Sequence, residues 1–190
     1  MDTAFLATQF AAALPYERYL ATGTEEQRRR WVDFREHVHL SDAQRTLLAS
    51  FTRPMKVLVV SGIWCGDCVQ QCPMLDVIAG AAAAGKIDLR FVDRDQHKEL
   101  SSRLRINGGD RVPVALFMAE DHELCATFGD RTLSRYRAMA QKYLGAACAT
   151  GLVGPAPDEV AATLQDWVDE FERVQLMLRL SARLRQKYGD

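Results

Sequence analysis

The chain has 190 residues, 48% of them hydrophobic and 26% charged. That mix excludes a disordered chain, a collagen-like repeat and a disulfide-stapled miniprotein, and the length suits one domain with additions. The 24 Lys and Arg balance 25 Asp and Glu to a net charge of −1, which provides no electrostatic footprint for nucleic acid or an anionic membrane.

Helices are expected first. Thr3–Leu14 carries Phe5, Leu6, Phe10, Ala13 and Leu14 near helical spacing, and Pro15 ends it. Thr24-Glu25-Glu26-Gln27 and Ser41-Asp42-Ala43-Gln44 have the form of capping boxes, opening helices to about Val38 and Phe51. Val57–Val60 is a short β-branched run, suited to a strand buried on both faces. A helix is expected from about Asp67 to Ala84 with Gly85 as its cap, then a strand over Ile87–Val92 and a short helix over Gln96–Leu104. After the turn Asn107-Gly108-Gly109-Asp110, the segments Val112–Met118 and His122–Phe128 read as a hairpin. Helix returns from Asp130 to about Gly145, a Gly/Pro loop spans Ala146–Pro157, and a single helix runs from Asp158 to Gln186. Its stripe Trp167, Phe171, Val174 and Met177 reads as core packing, with self-association as the alternative. The order predicts an α/β fold, a mixed central sheet with helices on both faces. The expected organisation is a helical extension over 1–53, a central domain over 54–145, and a loop with a long helix over 146–190.

No apolar run approaches the ~18–20 residues of a membrane-spanning helix. The N-terminus begins Met1-Asp2-Thr3, and Gln9, Pro15 and Glu17 interrupt its apolar run, so no export signal is read and a cytoplasmic chain is expected. That compartment keeps thiols reduced, and its disulfides are usually transient and catalytic. The five cysteines are Cys65, Cys68, Cys72, Cys125 and Cys148, an odd count that argues against a fully paired framework. Three of them cluster at Cys65, Cys68 and Cys72.

Trp64-Cys65-Gly66-Asp67-Cys68 stands where the first strand hands over to a helix. A Cys-x-x-Cys at that junction reads as a dithiol redox site. Unpaired N–H groups and the positive end of the helix dipole are expected to lower the Cys65 pKa. Cys65 would attack a substrate disulfide, and Cys68, one turn later, would resolve the mixed disulfide. A metal site on Cys65, Cys68 and Cys72 is the alternative, although a structural zinc site usually draws on a second Cys/His pair. The histidines His37, His39, His97 and His122 are not so spaced.

The segment Met55–Asp130 resembles the thioredoxin superfamily. Three features carry the resemblance: Trp64-Cys65-Gly66-Asp67-Cys68, Pro73 in the following helix, and Arg111-Val112-Pro113 at the third strand. More narrowly, the chain looks like uncharacterised bacterial thioredoxin-like proteins with helical extensions at both ends. The resemblance implies a thioredoxin-like fold, a cis Pro113 facing the dithiol, and a Val112 backbone that meets an extended substrate. It implies Cys65 as nucleophile and Cys68 as resolving thiol, with Trp64 and Gly66 shaping the site. The family commonly buries an aspartate on its first strand to aid proton transfer to the resolving cysteine; the aligned residue here is Val59. Asp67, Asp93 or a water are the candidate substitutes. Asp67 stands where thioredoxins have proline, either opposing thiolate formation or complementing the helix dipole. Arg111 replaces a small residue beside the proline and either tunes Cys65, attracts an acidic substrate or is an exposed loop charge.

Cys72 shares a helix face with Cys68 and reads as a buried small hydrophobe or an alternative disulfide partner. Arg28-Arg29-Arg30 reads as a solvated face. The expected activity is thiol–disulfide oxidoreduction, with the reducing direction favoured. Its partners would be a disulfide-containing protein or small thiol and an upstream reductant, with no organic cofactor, nucleic acid or membrane. A partner-binding or redox-sensing module is the competing class.

Overall fold

The computed structural model describes residues 1–144 and 158–189. Four helices precede the sheet: α1 (Thr3–Ala12), α2 (Tyr16–Leu20), α3 (Glu25–Arg35) and α4 (Asp42–Ala49). Then come β1 (Met55–Ser61), α5 (Gly66–Ala81), β2 (Ile87–Asp93), α6 (Lys98–Ser101) with a 3-10 turn, and the hairpin β3 (Val114–Met118) and β4 (Leu124–Gly129). Helices α7 (Leu133–Leu144), α8 (Glu159–Leu180) and α9 (Ala182–Tyr188) follow. The sheet order is β2-β1-β3-β4. β1 is parallel to β2 across the α5 crossover and antiparallel to β3.

The register shows how the two faces are covered, because paired residues point to the same side. Val59 pairs with Phe91 and Ala115, Ala115 with Phe128, and Val57 with Phe117, so these share one face. On that face Phe171 of α8 meets Phe117 edge-on at 5.0 Å, and Trp167 meets Phe128 at 4.9 Å. Tyr16 and Tyr19 of α2 pack on Phe91 at 5.7 and 5.5 Å and against Trp31 of α3. The opposite face carries Leu58, Arg90 and Leu116, and Phe10 of α1 lies under the Arg90 guanidinium at 4.7 Å. One hydrophobic core therefore runs from Leu6 to Leu184.

The N-terminal segment also covers a sheet edge. Leu14 and Phe91 exchange backbone hydrogen bonds of 2.9 and 2.8 Å, which occupies donors and acceptors that β2 would otherwise present. Both expected capping boxes form, Thr24 with Gln27 and Ser41 with Gln44.

Several boundaries differ from expectation. The first helix stops at Ala12, because Leu14 joins β2 instead of continuing the helix. Helix α2 was not expected. Helix α5 ends at Ala81 with Ala82 as its C-cap, and Gly85 serves the turn into β2 with a φ of 76° rather than capping the helix. The long terminal helix is two, broken at Ser181, whose side chain caps α9. Trp167, Phe171 and Val174 of the expected stripe are core, whereas Met177 is 39% exposed. The Ala146–Pro157 loop and Cys148 lie outside the described residues. No described helix is long and apolar enough to cross a membrane.

Gly129 joins the hairpin to the segment that approaches the dithiol helix. A Cβ there would lie 2.5 Å from the Pro113 carbonyl oxygen and 3.0 Å from Val114 Cα, both backbone atoms. Gly129→Ala should therefore cost about 2–3 kcal/mol, the scale of an overpacked buried site, read as a lower urea midpoint at unchanged slope.

Candidate active site

β1 is buried on both faces and delivers its C-terminal end, Ser61, to the start of α5. The connecting turn is pinned from the N-terminal helices: Trp31 Nε1 donates to the Ile63 carbonyl at 2.9 Å. A Cβ at Gly62 would lie 2.9 Å from the Trp64 indole, so the bare backbone there leaves room for the ring. Trp64 itself is 43% exposed, with the Arg94 guanidinium 4.7 Å above its ring.

Cys65 is the N-cap of α5 and half-buried. Its Sγ lies 3.8 Å from the Val112 carbonyl oxygen, and the Val112–Pro113 peptide is cis, the isomer the resemblance implies. Cys68 is fully buried one turn behind and accepts the Gly62 N–H at 3.4 Å. Cys72 is fully buried too, with Sγ 3.6 Å from Ser61 Oγ. The described cysteines are all free thiols. The structure thus brings Trp64, Cys65, Gly66, Asp67, Cys68, Val112 and Pro113 together at one end of β1, with Cys72 behind them.

The electrostatics depart from expectation in two ways. The helix N-terminus was expected to pull Cys65 down, and the N–H groups of Cys68 and Asp67 do act in that direction. The hydrogen bond shared with the Cys68 thiol and then burial outweigh them, so Cys65 is pushed up. Burial pushes Cys68 up as well. Asp67, in turn, is not a bare carboxylate beside the sulfur. Arg131 holds it at 2.5 Å and Arg135 at 3.4 Å.

Those pairs belong to a chain of charges around the site. Arg131 also reaches the buried Asp130 at 3.0 Å, and Arg111 reaches the same carboxylate at 3.1 Å. Arg111 is exposed yet tied down, so it braces the proline loop. Burial raises the Asp130 carboxyl, but the Tyr136 hydrogen bond and the arginines more than compensate and hold it below the usual carboxylate range. Neither acidic substitute for the missing base is free: Asp67 is ion-paired, and Asp93 Oδ1 accepts the Asp95 and Gln96 N–H groups at 2.8 and 3.2 Å. His37 Nδ1 is engaged with the Asp33 carbonyl at 2.8 Å. Among the described residues, no three His, Cys, Asp or Glu side chains are grouped to hold a metal ion.

A groove of about 590 Å³ opens beside Gly66 and Asp67, walled by Arg30 and Phe34 of α3 and by Arg135 and Tyr143 of α7. Its volume lies in the range of small-ligand sites, roughly 300–1,000 Å³.

A family model described as thioredoxin matches residues 13–143. The chain belongs to the thioredoxin family. A structure of a protein of unknown function from Pseudomonas aeruginosa is similar, with a TM-score of 0.69 and 19% identity over 88% of this chain and 97% of that one. An HIV epitope-scaffold structure matches with a TM-score of 0.63 and 18% identity over 85% of this chain and 96% of that one. At these identities the likeness is one of fold. The family match begins at Ala13, before Met55, so it takes in α2 to α4 as well as the sheet.

Sequence reading missed Arg131, Arg135 and Asp130, which share no motif with the dithiol and reach it only through the fold. It also missed Tyr16 and Tyr19, whose five-residue helix is too short for a periodicity signal.

The upward push on both thiols sets the pH dependence of this thioredoxin-family site. A thiol below its pKa is protonated, so the reactive thiolate fraction grows about tenfold per pH unit until the pKa is reached. Iodoacetamide labelling of Cys65 in the reduced protein, followed by peptide mass spectrometry, should still be accelerating above pH 9. A plateau near pH 7 would contradict this assignment of charge.

Proposed function

We propose that this chain is a thiol–disulfide oxidoreductase that works through Cys65 and Cys68 and reduces its substrates. The observation that carries the reading is the half-buried Cys65 sulfur under the Val112 carbonyl, with the buried Cys68 thiol one turn behind it.

In the first step the Cys65 thiolate attacks a substrate disulfide. A Cys65–substrate bond forms, the substrate S–S bond breaks, and one substrate sulfur leaves as a thiol. In the second, the Cys68 thiolate attacks Cys65 Sγ, closing the Cys65–Cys68 disulfide and releasing the other substrate sulfur. The dithiol loses two electrons and the substrate gains them. A thiol reductant then restores the enzyme. The raised thiols favour this direction, because a reduced pair without thiolate stabilisation is the better electron donor. Trp64 and the Val112–Pro113 loop form the platform for the substrate, and the groove beside Asp67 has room for the part that does not react. The reducing conditions of a cytoplasm would suit this role.

Equilibration in defined thiol/disulfide buffers, with thiol trapping and peptide mass spectrometry, tests the reading. The expected result is one reversible Cys65–Cys68 disulfide near the thioredoxin potential, about −270 mV. Cys65→Ser should abolish turnover, and Cys68→Ser should accumulate a stable mixed disulfide on Cys65. If Cys65 never pairs with Cys68 across the buffers, the reading fails.

A further inference from the structure

Trp64 is partly exposed, whereas Trp31 and Trp167 are wholly buried. An indole left in water is free to turn unless something holds it, and two contacts do. It lies against the bare Gly62 backbone, and the Arg94 guanidinium sits over its ring at 4.7 Å, within cation–π range. Arg94 leaves the end of β2 with its backbone tied on both sides. Its N–H donates to the Ser61 carbonyl at 2.8 Å, and its carbonyl accepts the Ser101 hydroxyl at 3.2 Å. The side chain is tied as well. Nη1 donates to the Asp110 carbonyl at 3.0 Å, and Nε and Nη2 donate to the Asp95 carboxylate at 3.1 and 3.2 Å. Guanidinium N–H groups point outward in the plane of the group, so these bonds leave its flat face to the indole. Asp110 leads through Arg111 into Val112 and the cis Pro113, the loop whose carbonyl lies 3.8 Å from Cys65 Sγ. One side chain thus joins the end of β2, the turn that carries Cys65 and the loop that faces it.

We propose that Arg94 is a positioning residue: it holds the Trp64 indole as a preset wall for an extended peptide, so that the site favours cystines carried on a polypeptide over small disulfides. This role rests on the thiol–disulfide reading above. An aromatic surface fixed before binding loses no rotamer freedom when a chain lies on it, and that saving appears as affinity. A peptide laid between Trp64 and the Val112 backbone collects the saving. A small disulfide reaches Cys65 without covering the indole and collects none. Asp95 answers the Arg94 charge, so the brace adds no net charge beside the dithiol. Selection at this wall is by contact and not by the sign of the substrate's charge.

Single-turnover reduction by the pre-reduced chain, with no other thiol present, compares a cystine-linked dimer of an uncharged peptide with bis(2-hydroxyethyl) disulfide. Arg94→Gln should raise the half-saturating peptide concentration about fivefold, the scale of one cation–π contact, at an unchanged limiting rate. Its rate with bis(2-hydroxyethyl) disulfide should match the wild type. Acrylamide quenching of tryptophan fluorescence reads Trp64, because the other two indoles are buried, and it should increase in Arg94→Gln. Trp64→Ala should weaken peptide binding at least as much, and Arg94→Gln should add nothing in that background, since Arg94 acts through the indole. Asp95→Asn keeps the guanidinium but loosens it; it should shift the same readouts and carries the test if Arg94→Gln does not fold. A wild-type half-saturating concentration in Arg94→Gln, unchanged quenching, or a further loss on top of Trp64→Ala overturns the proposal. Reduction of both disulfides with no preference for the peptide overturns the role of Arg94 alone. If the wild-type chain reduces neither, the thiol–disulfide reading falls and this role falls with it.

Discussion

Everything near the dithiol depends on β1 being buried on both faces. A strand whose Val57, Leu58 and Val59 see no solvent needs helices above and below it. The N-terminal helices and α8 supply much of that cover: Phe10 on one face, Tyr16, Tyr19 and Phe171 on the other. The same packing holds the active turn in place. Trp31 sits under the two tyrosines and also donates to the Ile63 carbonyl, two residues before Cys65. The helices that cover the core are therefore also the ones that fix the turn carrying Cys65.

Charge does the corresponding work around Asp67 and the proline loop. Three segments remote in sequence meet there: Asp67 on the dithiol helix, Arg111 before the proline, and Asp130-Arg131 after the hairpin. A buried carboxylate such as Asp130 is tolerable only if it is paired and hydrogen-bonded, and Arg111, Arg131 and the Tyr136 hydroxyl provide that. Removing one partner would leave a buried charge exposed to the low dielectric. The network thus couples the position of the proline loop to that of α5, and it compensates the Asp67 carboxylate so that the thiols answer to burial and to each other.

The fold was legible wherever a periodicity or a short motif was long enough to read. The β-branched run Val57–Val60, the two capping boxes and the strand–Cys-x-x-Cys–helix junction are local signals, and the structure contains each of them. Boundaries slipped where a tertiary partner decided them: Leu14 leaves its helix for β2, and Ser181 divides the last helix. The charges about Asp67 were illegible for a different reason. Arg131 and Arg135 lie 64 and 68 residues from their partner, and nothing in an arginine's neighbours says which carboxylate it will meet. The downward pull on Cys65 was a correct local argument outweighed by two non-local effects, the shared thiol contact and burial.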